Sequence, residues 1–470
     1  MVKKEIESKS EYSNKKAAAY SLGQISIVTS YLTFSFLIFT FYFTIVGLNV
    51  ILITIGFIIW SVWNSFNDPI MGYLSDRTHT KWGRRRPYIM IALIPLAVVM
   101  ALLFSPPYAY GIEDQMINFI YFMIIIICFE LFYSMYDINL TSLFPELFIT
   151  MEERTKANNI RQTFAIIALL TAFVLPTFFI PDLSNQKYLP QYRLYGVVVM
   201  IIILVIGAMF LKFSPKEKPE FKQDYKNALS LVESLKLLKT NKSFLWFNII
   251  LLCINFVNIL LTTIVALYGK FVLGVGEGQS LYLALLMLLL FVSAAISMNL
   301  IWKPVVQRLG IRKSWLISMC LWVILLSPLF FIDNVMIGFI VFALIGIGFS
   351  GCYYILDLAI SDIIDEDEVK TGTRREASYY GVYIMVMRLA TILVFLSIGL
   401  VFTNVGWTIY EPEKVTSQVI FGLRVLIFIF PAISLLLGII AIYKFPLHGD
   451  RLNEVKKELE KLHQQKKAKV

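Results

Sequence analysis

The sequence predicts an all-α membrane protein, with twelve transmembrane helices arranged as two bundles of six. Three observations predict it. Of 470 residues, 58% are hydrophobic and only 16% charged, with a mean hydropathy of +0.72, whereas a soluble domain carries about 25% charged residues. The apolar runs are long: 197–211 holds no charge and 121–131 holds one. Finally, Lys and Arg collect at alternate breaks between those runs. A helix needs roughly 20 apolar residues to cross about 30 Å of hydrocarbon. The short alternating segments of a β-barrel, the other backbone that lipid tolerates, are absent.

Taken in order, the apolar runs place spans at 17–46, 50–75, 87–105, 116–146, 160–181 and 194–213. Six more follow at 243–272, 280–302, 314–332, 335–362, 377–403 and 418–445. The first sixteen residues are polar and the first run continues as a full span, so no cleavable signal peptide is read. Residues 1–16 form an N-terminal tail, 214–242 a Lys-rich linker between the bundles 17–213 and 243–445, and 446–470 a C-terminal tail. Lys3, Lys4, Lys9, Lys15, Lys16, Arg77, Lys81, Arg84, Arg85 and Arg86 fall on one side with the linker and tail. The opposite loops hold Lys187, Arg193, Lys270 and Lys414. Basic residues near span ends stay inside, so both termini are expected in the cytoplasm, with the protein in the cell membrane.

The net charge of +10 is spread over span ends on one side, which argues against a nucleic-acid partner. Cys128, Cys253, Cys320 and Cys352 lie inside spans without CxxC spacing, and are read as packing residues. No GxxxxGK[ST] phosphate loop occurs, so ATP-driven transport is not supported. No cofactor is expected beyond a coupling ion, H⁺ or Na⁺. The tail from Leu452 to Leu462 puts Leu452, Val455, Leu459 and Leu462 on one side among lysines. It is expected to lie on the anionic inner leaflet, with membrane lipids as partners of an otherwise monomeric chain.

The two halves break alike. The second span runs into Trp82-Gly83-Arg84-Arg85-Arg86, the eighth into Leu309-Gly310-Ile311-Arg312-Lys313. The fourth ends at Glu146 with Arg154-Thr155 eight residues on, the tenth at Asp362 with Lys370-Thr371 eight on. Parallel repeats of six helices predict such correspondence. The acidic run from Asp365 to Glu368 reads as a solvated loop or a partner of nearby basic residues, rather than a metal site. Gly72 is expected to let the second span approach a neighbour closely.

Charges inside spans are costly and mark function by default. Asp68 shares one face of its span with Asn64 and Asn67. Glu130, Ser134 and Asp137 form a stripe on the fourth span, Arg388 sits mid-span in the eleventh, and Asp357 lies toward the inner end of the tenth.

The segment Asn67-Asp68-Pro69-Ile70-Met71-Gly72, with Ser75-Asp76-Arg77-Thr78 and Lys81-Trp82-Gly83-Arg84-Arg85-Arg86-Pro87, resembles the span 2–3 signature of the glycoside–pentoside–hexuronide:cation symporters. Ser361-Asp362-Ile363-Ile364-Asp365 through Lys370-Thr371-Gly372-Thr373-Arg374-Arg375-Glu376 resembles that family's span 10–11 loop. Tyr136-Asp137 with Ser142-Leu143-Phe144-Pro145 fits as well. The resemblance implies the major facilitator fold, alternating access, and cation-coupled symport of a sugar or glycoside. It further implies a cation held between spans 2 and 4 by Asn67, Asp68 and Ser134. Asn64 stands where the sugar symporters have a carboxylate; Glu130 is an extra one that could compensate. Arg388 matches a lysine of that family; because arginine keeps its proton when buried, it is read as a fixed counter-charge to Asp68, Asp137 or Glu130. The missing carboxylate tilts the expected ion toward H⁺.

On the substrate side, the family's helix-1 carboxylate aligns near Val28 and is lost. Asp137, Arg161 and Tyr353 match sugar-binding positions, and Tyr20, Gln24, Tyr31 and Ser35 line one face of the first span. Asp76, Arg84, Arg85, Arg86, Arg374 and Arg375 are expected to form state-dependent gating pairs at the inner surface. Rival readings are a lysolipid or amphiphile transporter, a sensor on a transporter scaffold, and an intramembrane prenyltransferase. The last needs two aspartate-rich sites: Asn67-Asp68 has Met71 where the next aspartate should fall, and the acidic run after span 10 has no convincing partner.

Overall fold

The computed structural model describes residues 13–78, 80, 82–107, 114–148, 151–214, 241–372 and 375–468. The side chains of Asp76, Pro145, Met151, Ala377 and 466–468 are not described. The described residues form helices and no strand. The helices are α1 (Asn14–Thr40, running on through a wide π-turn Phe41–Ile45), α2 (Val50–Arg77), α3 (Arg86–Leu102), α4 (Gln115–Leu147), α5 (Met151–Phe173) and α6 (Leu189–Phe213). The second half has α7 (Lys242–Phe271), α8 (Ser280–Ser297, extended through Met298–Trp302 to Lys303–Leu309), α9 (Ile311–Leu326), α10 (Val335–Thr371) and α11 (Glu376–Asn404). It closes with α12 (Ser417–Arg424, Val425–Ile429 and Phe430–Lys444) and α13 (Asp450–Ala468). Among the described residues, eleven spans are long and apolar enough to cross a membrane. The twelfth apolar helix, α3, has 17 residues, at the short limit for spanning.

Helix pairing repeats with an offset of six. In the first half α1 packs on α5 and α6, α3 on α4 and α6, and α2 on α4. In the second, α7 packs on α11 and α12, α9 on α10 and α12, and α8 on α10. The halves meet through α1 with α7, α2 with α11, and α5 with α8, the pairs that a two-fold axis between the halves exchanges. α1 and α7 lie at the centre, each with 78% of its most apolar window buried. On the perimeter, Ile51, Ile55, Ile59, Val62, Phe66 and Ile70 form an exposed apolar stripe along α2, as a lipid-facing surface should.

The basic loops do the same job in both halves. Arg86 donates to the carbonyl of Leu211 at the end of α6. Arg312 donates to the carbonyls of Ile442 and Tyr443 at the end of α12. The last carbonyls of a helix lack backbone donors and carry its negative end, so each arginine caps the helix that packs on α3 or α9.

Several expectations change. Helix α5 begins at Met151 rather than 160, because residues 151–159 are polar but helix-compatible, with Glu152 and Glu153 in the first turn where the helix dipole favours them. Helix α10 continues to Thr371, so the acidic run is helical and not a solvated loop. Glu366, Asp367 and Glu368 are 1%, 5% and 2% exposed. Basic partners satisfy them: Lys370 and Arg451 on Glu366, Arg375 on Asp367, and His463 on Glu368. The tail helix α13 packs on α10, with Val455 buried and Lys456 3.6 Å from Asp362. A Cβ on Gly72 would meet nothing within 4 Å, so it serves no close approach. All four cysteines are unpaired, and Cys320 is exposed rather than packed.

Close approach falls on α10. A Cβ on Gly346 would lie 1.9 Å from Ser293 Oγ and 2.3 Å from the Leu290 carbonyl oxygen of α8. Backbone cannot yield there, so Gly346→Ala is expected to part α8 from α10 and cost about 1–3 kcal/mol. Thermal unfolding in detergent reads this as a lowered midpoint; an unchanged midpoint would mean that the contact is loose.

Candidate functional site

At the level where α2, α4 and α11 meet, a guanidinium from one half faces carboxylates from the other. Arg388 Nη2 lies 3.2 Å from Asp68 Oδ2 and 3.9 Å from Glu130 Oε1. Ser134 Oγ donates to Asp68 Oδ1 at 2.5 Å and lies 3.2 Å from Glu130 Oε1. Asn67 Nδ2 donates to the Glu130 backbone carbonyl at 3.2 Å, holding α2 against α4. The side chains of Glu130, Asp68 and Arg388 are 1%, 15% and 16% exposed. Charges buried this deeply must be paired or neutralised. Two carboxylates share one arginine, so the cluster carries one negative charge in excess when both are ionised. Glu130 Oε2, Arg388 Nε and both amide atoms of Asn64 are buried without a protein partner. Buried polar atoms left this way mark room for a proton, an ion or water.

Beside the cluster lies a cavity of about 80 Å³ between the halves. Its first-half wall is Tyr31, Phe34, Ser35 and Trp60; its second-half wall is Asn258, Thr262, Thr263 and Thr391. Phe34 stacks on Trp60 and on Phe129, with centroids 5.4 and 4.4 Å apart. The lining thus pairs aromatic faces with neutral hydroxyls and amides. No charged side chain is among its lining residues.

Of the residues expected to bind solute, Tyr31 lines this cavity, 5.6 Å from the ring of Tyr133. Tyr353 stands on the second half and donates to Asn255 Oδ1 at 3.2 Å, its ring 4.5 Å from Phe349. Asp137, half-buried, accepts from Thr141 at 3.4 Å and is in electrostatic reach of Asp68, Arg388 and Arg161. The Arg161 guanidinium sits 4.9 Å over the Phe144 ring. Gln24 is half-buried. Tyr20 is not brought to the cavity: it is fully buried between Phe144 and Phe148, and its hydroxyl donates to the Leu140 carbonyl at 2.9 Å. Asp357 is exposed on α10. The α7 stripe of Asn255, Asn258 and Thr262 and the α2 ring of Trp60 were missed. Amides and a hydroxyl at positions i, i+3 and i+7 of an apolar span were the available signal.

Contacts between the halves run from the loop side down to Asp68–Arg388. Lys270 Nζ is 2.8 Å from Asp182 Oδ2, Val50 N donates to Thr408 O at 2.8 Å, and Gly278 N donates to Pro181 O at 3.0 Å. Lys187 lies 2.6 Å from Glu277, about half exposed. The Lys187 hydrogen bond holds the Glu277 carboxyl below its usual range, so this pair contributes at neutral pH and fades as pH falls through the carboxylate range. Exposed pairs are weak; the better-buried Lys270–Asp182 pair matters more. Deeper in, the rings of Phe57 and Phe395 stack 3.6 Å apart.

On the basic side the expected gating arginines make these bonds within their own halves. Arg84 pairs with Glu146 at 2.6 Å, Arg85 lies 3.7 Å from Glu146 and donates to Ser75 at 2.7 Å, and Arg375 grips Asp367 with two hydrogen bonds of 2.8 and 2.5 Å. Arg374 and the Asp76 side chain lie outside the described residues.

Comparison with known proteins agrees with this geometry. The family described as MFS/sugar transport protein matches residues 19–449. An uncharacterized symporter of Synechocystis sp. is 24% identical, over 94% of this chain and 96% of that protein. The isoprimeverose transporter of Lactiplantibacillus pentosus is 27% identical over 51% of this chain, which spans 48% of that transporter's length. A glucuronide carrier protein homolog of Escherichia coli is 22% identical over 94% of both. Among solved structures, the nucleoside transporter NupG superposes with a TM-score of 0.64 at 16% identity, over 92% of this chain and 100% of that one. The chain belongs to the MFS/sugar transport protein family: it is a multi-pass membrane transporter with the major facilitator fold, and not an enzyme, so the prenyltransferase reading is set aside.

Removing the shared cation should expose its role. Arg388→Gln would strand Asp68 and Glu130, at a cost of about 3–5 kcal/mol. Adding Asp68→Asn and Glu130→Gln should recover most of that loss. Thermal unfolding of the single and triple variants checks it, and a single variant as stable as the parent would show that the cluster is well solvated.

Proposed function

We propose that this transporter carries a neutral sugar or glycoside together with one proton, by alternating access, with the basic side in the cytoplasm and the central cavity opening toward it. The carrying observation is the charge count at the interface: Asp68 and Glu130 share Arg388, one negative charge in excess. A single proton removes that excess without further ligands, and Glu130 Oε2, buried and unpartnered, is the atom placed to take it. Sodium would need several oxygens arranged around it, and Asn64 supplies a neutral amide where the symporter pattern has a carboxylate.

The solute reading is supported by the names of the relatives and by the cavity chemistry. Trp60 and Phe34 offer flat faces to the C–H surface of a sugar ring, while Ser35, Asn258 and Thr262 offer hydroxyl and amide partners. A negatively charged hexuronate is disfavoured. Asp68, Glu130 and Asp137 already outnumber Arg388 and Arg161 around the site.

Coupling follows from where the charges sit. Arg388 belongs to α11 and its carboxylates to α2 and α4, so their attraction crosses the seam along which the halves must rock. Protonating Glu130 leaves Arg388 held by Asp68 alone. Solute in the adjacent cavity then decides whether the seam stays closed above or below. At the loop side, Lys270–Asp182 and the Val50–Thr408 backbone bond would break as the other entrance opens.

The test is solute-stimulated cation movement in proteoliposomes, screening sugars and glycosides with a pH dye and with ²²Na⁺. Proton uptake with a neutral sugar is expected, lost in Asp68→Asn and Glu130→Gln. Sodium uptake instead would overturn the proton assignment and make Asn64 a working ligand. Movement with a lysolipid and no sugar would replace the solute class.

A further inference from the structure

We propose that Trp60 is the residue through which solute and ion sense each other, a positioning residue whose indole belongs both to the cavity wall and to the surroundings of Arg388. The proposal rests on the neutral-sugar reading above and adds how occupancy of the cavity reaches the charge pair. Arg388, Asp68 and Glu130 are not among the lining residues of the cavity. A neutral solute there brings no charge with which to shift their balance. A side chain that touches both places must carry the effect.

Trp60 touches both. It lines the cavity, and the Arg388 guanidinium lies over its ring, 5.9 Å from the centroid. Cation–π attraction reaches roughly 6 Å and strengthens where water is excluded; Trp60 is 3% exposed. On α2, Trp60, Asn64 and Asp68 fall at i, i+4 and i+8, on one face, with Trp60 and Asp68 about 12 Å apart along the helix. One guanidinium reaches both of them, 3.2 Å from Asp68. Of the other titratable groups in electrostatic reach of the cluster, Tyr133, Asp137 and Arg161 do not line the cavity. Tyr31 does, but brings a hydroxyl and no charge.

The indole also has a donor to spare. Its Nε1–H is buried without an acceptor in the protein, a costly state for a polar group that a solute hydroxyl would relieve. Phe34 stacks on the ring at 5.4 Å and Phe57 meets it edge-on at 5.9 Å, so the ring has a defined resting place. A solute that accepts from Nε1 pins the ring where it shares Arg388. A guanidinium held by the ring gives less of itself to Glu130, 3.9 Å away, and leaves the excess negative charge of the site for a proton to remove. By linkage, a proton on Glu130 frees Arg388 for the ring and favours the solute by the same factor, on the order of 5–150-fold.

Proteoliposomes holding the full-length chain test this, with radiolabelled methyl glucoside, methyl galactoside and methyl xyloside as probes. Cations taken up per glycoside are counted with a pH dye and with ²²Na⁺, so the readout does not depend on which ion is coupled. Trp60→Leu removes both ring and donor. Glycoside uptake down its own gradient is expected to persist there, while the cation count falls at least about fivefold. Trp60→Phe keeps a ring but loses the donor. Its half-saturating glycoside concentration should rise about tenfold, with a cation count between those of the parent and Trp60→Leu. An unchanged count in Trp60→Leu, with only weaker uptake, would make Trp60 a stacking surface and overturn the proposal. Should Trp60→Leu take up no glycoside, Trp60→Phe decides, and a half-saturating concentration equal to the parent's overturns it. A parent that moves none of the glycosides would overturn the neutral-sugar reading itself, and this proposal with it.

Discussion

A guanidinium that cannot give up its proton, placed where water is scarce, dictates the middle of this molecule. Arg388 must be answered by negative charge, and the answer comes from the other half of the chain through Asp68, with Glu130 in reach. The interface therefore cannot be a plain apolar seam. Ser134 and Asn67 exist there to hold the carboxylates and the backbone of α4 in register with α2. The neutral cavity sits directly beside this pair, so whatever enters it meets an electrostatic balance already set to within one charge. Rigid halves that pair their helices alike, joined across such a balance, have the makings of a two-position device.

Much of this was legible in the residues. Long uncharged runs announced the spans. The clustering of arginine after the second and eighth spans announced a repeat, which the structure realises as Arg86 and Arg312 capping α6 and α12. Asp68, Glu130, Ser134 and Arg388 stood out because a charge or small hydroxyl is conspicuous in an apolar helix. Their partnership was less visible: three candidate carboxylates competed for Arg388, and only packing chose Asp68 as the nearest.

What stayed hidden depends on tertiary neighbours. Tyr20 and Tyr31 lie three turns apart on nearly the same face of α1, yet one is sealed in the first half and the other lines the cavity. α1 is central and buried on several sides, so position along the helix separates them and facing does not. Asn255 and Asn258 looked like ordinary amides until α7 proved to be the facing wall. The acidic end of α10 looked like a loop because four adjacent acids rarely form a buried helix. Here Arg451, Lys456 and His463 arrive from a helix some ninety residues later, and the charge run becomes the seat of a small brace on α10.

That brace bears on the order of events during synthesis. Glu368 and His463 are 95 residues apart in sequence. At about 5–20 residues per second, the carboxylates on α10 wait on the order of 5–20 s after they are made before α13 can cover them. Throughout that interval Asp362, Glu366 and Glu368 lack the partners that α13 brings. The chain is thus built with a late keystone: its transmembrane part can insert helix by helix, but the end of α10 is finished only once a segment far downstream has been translated.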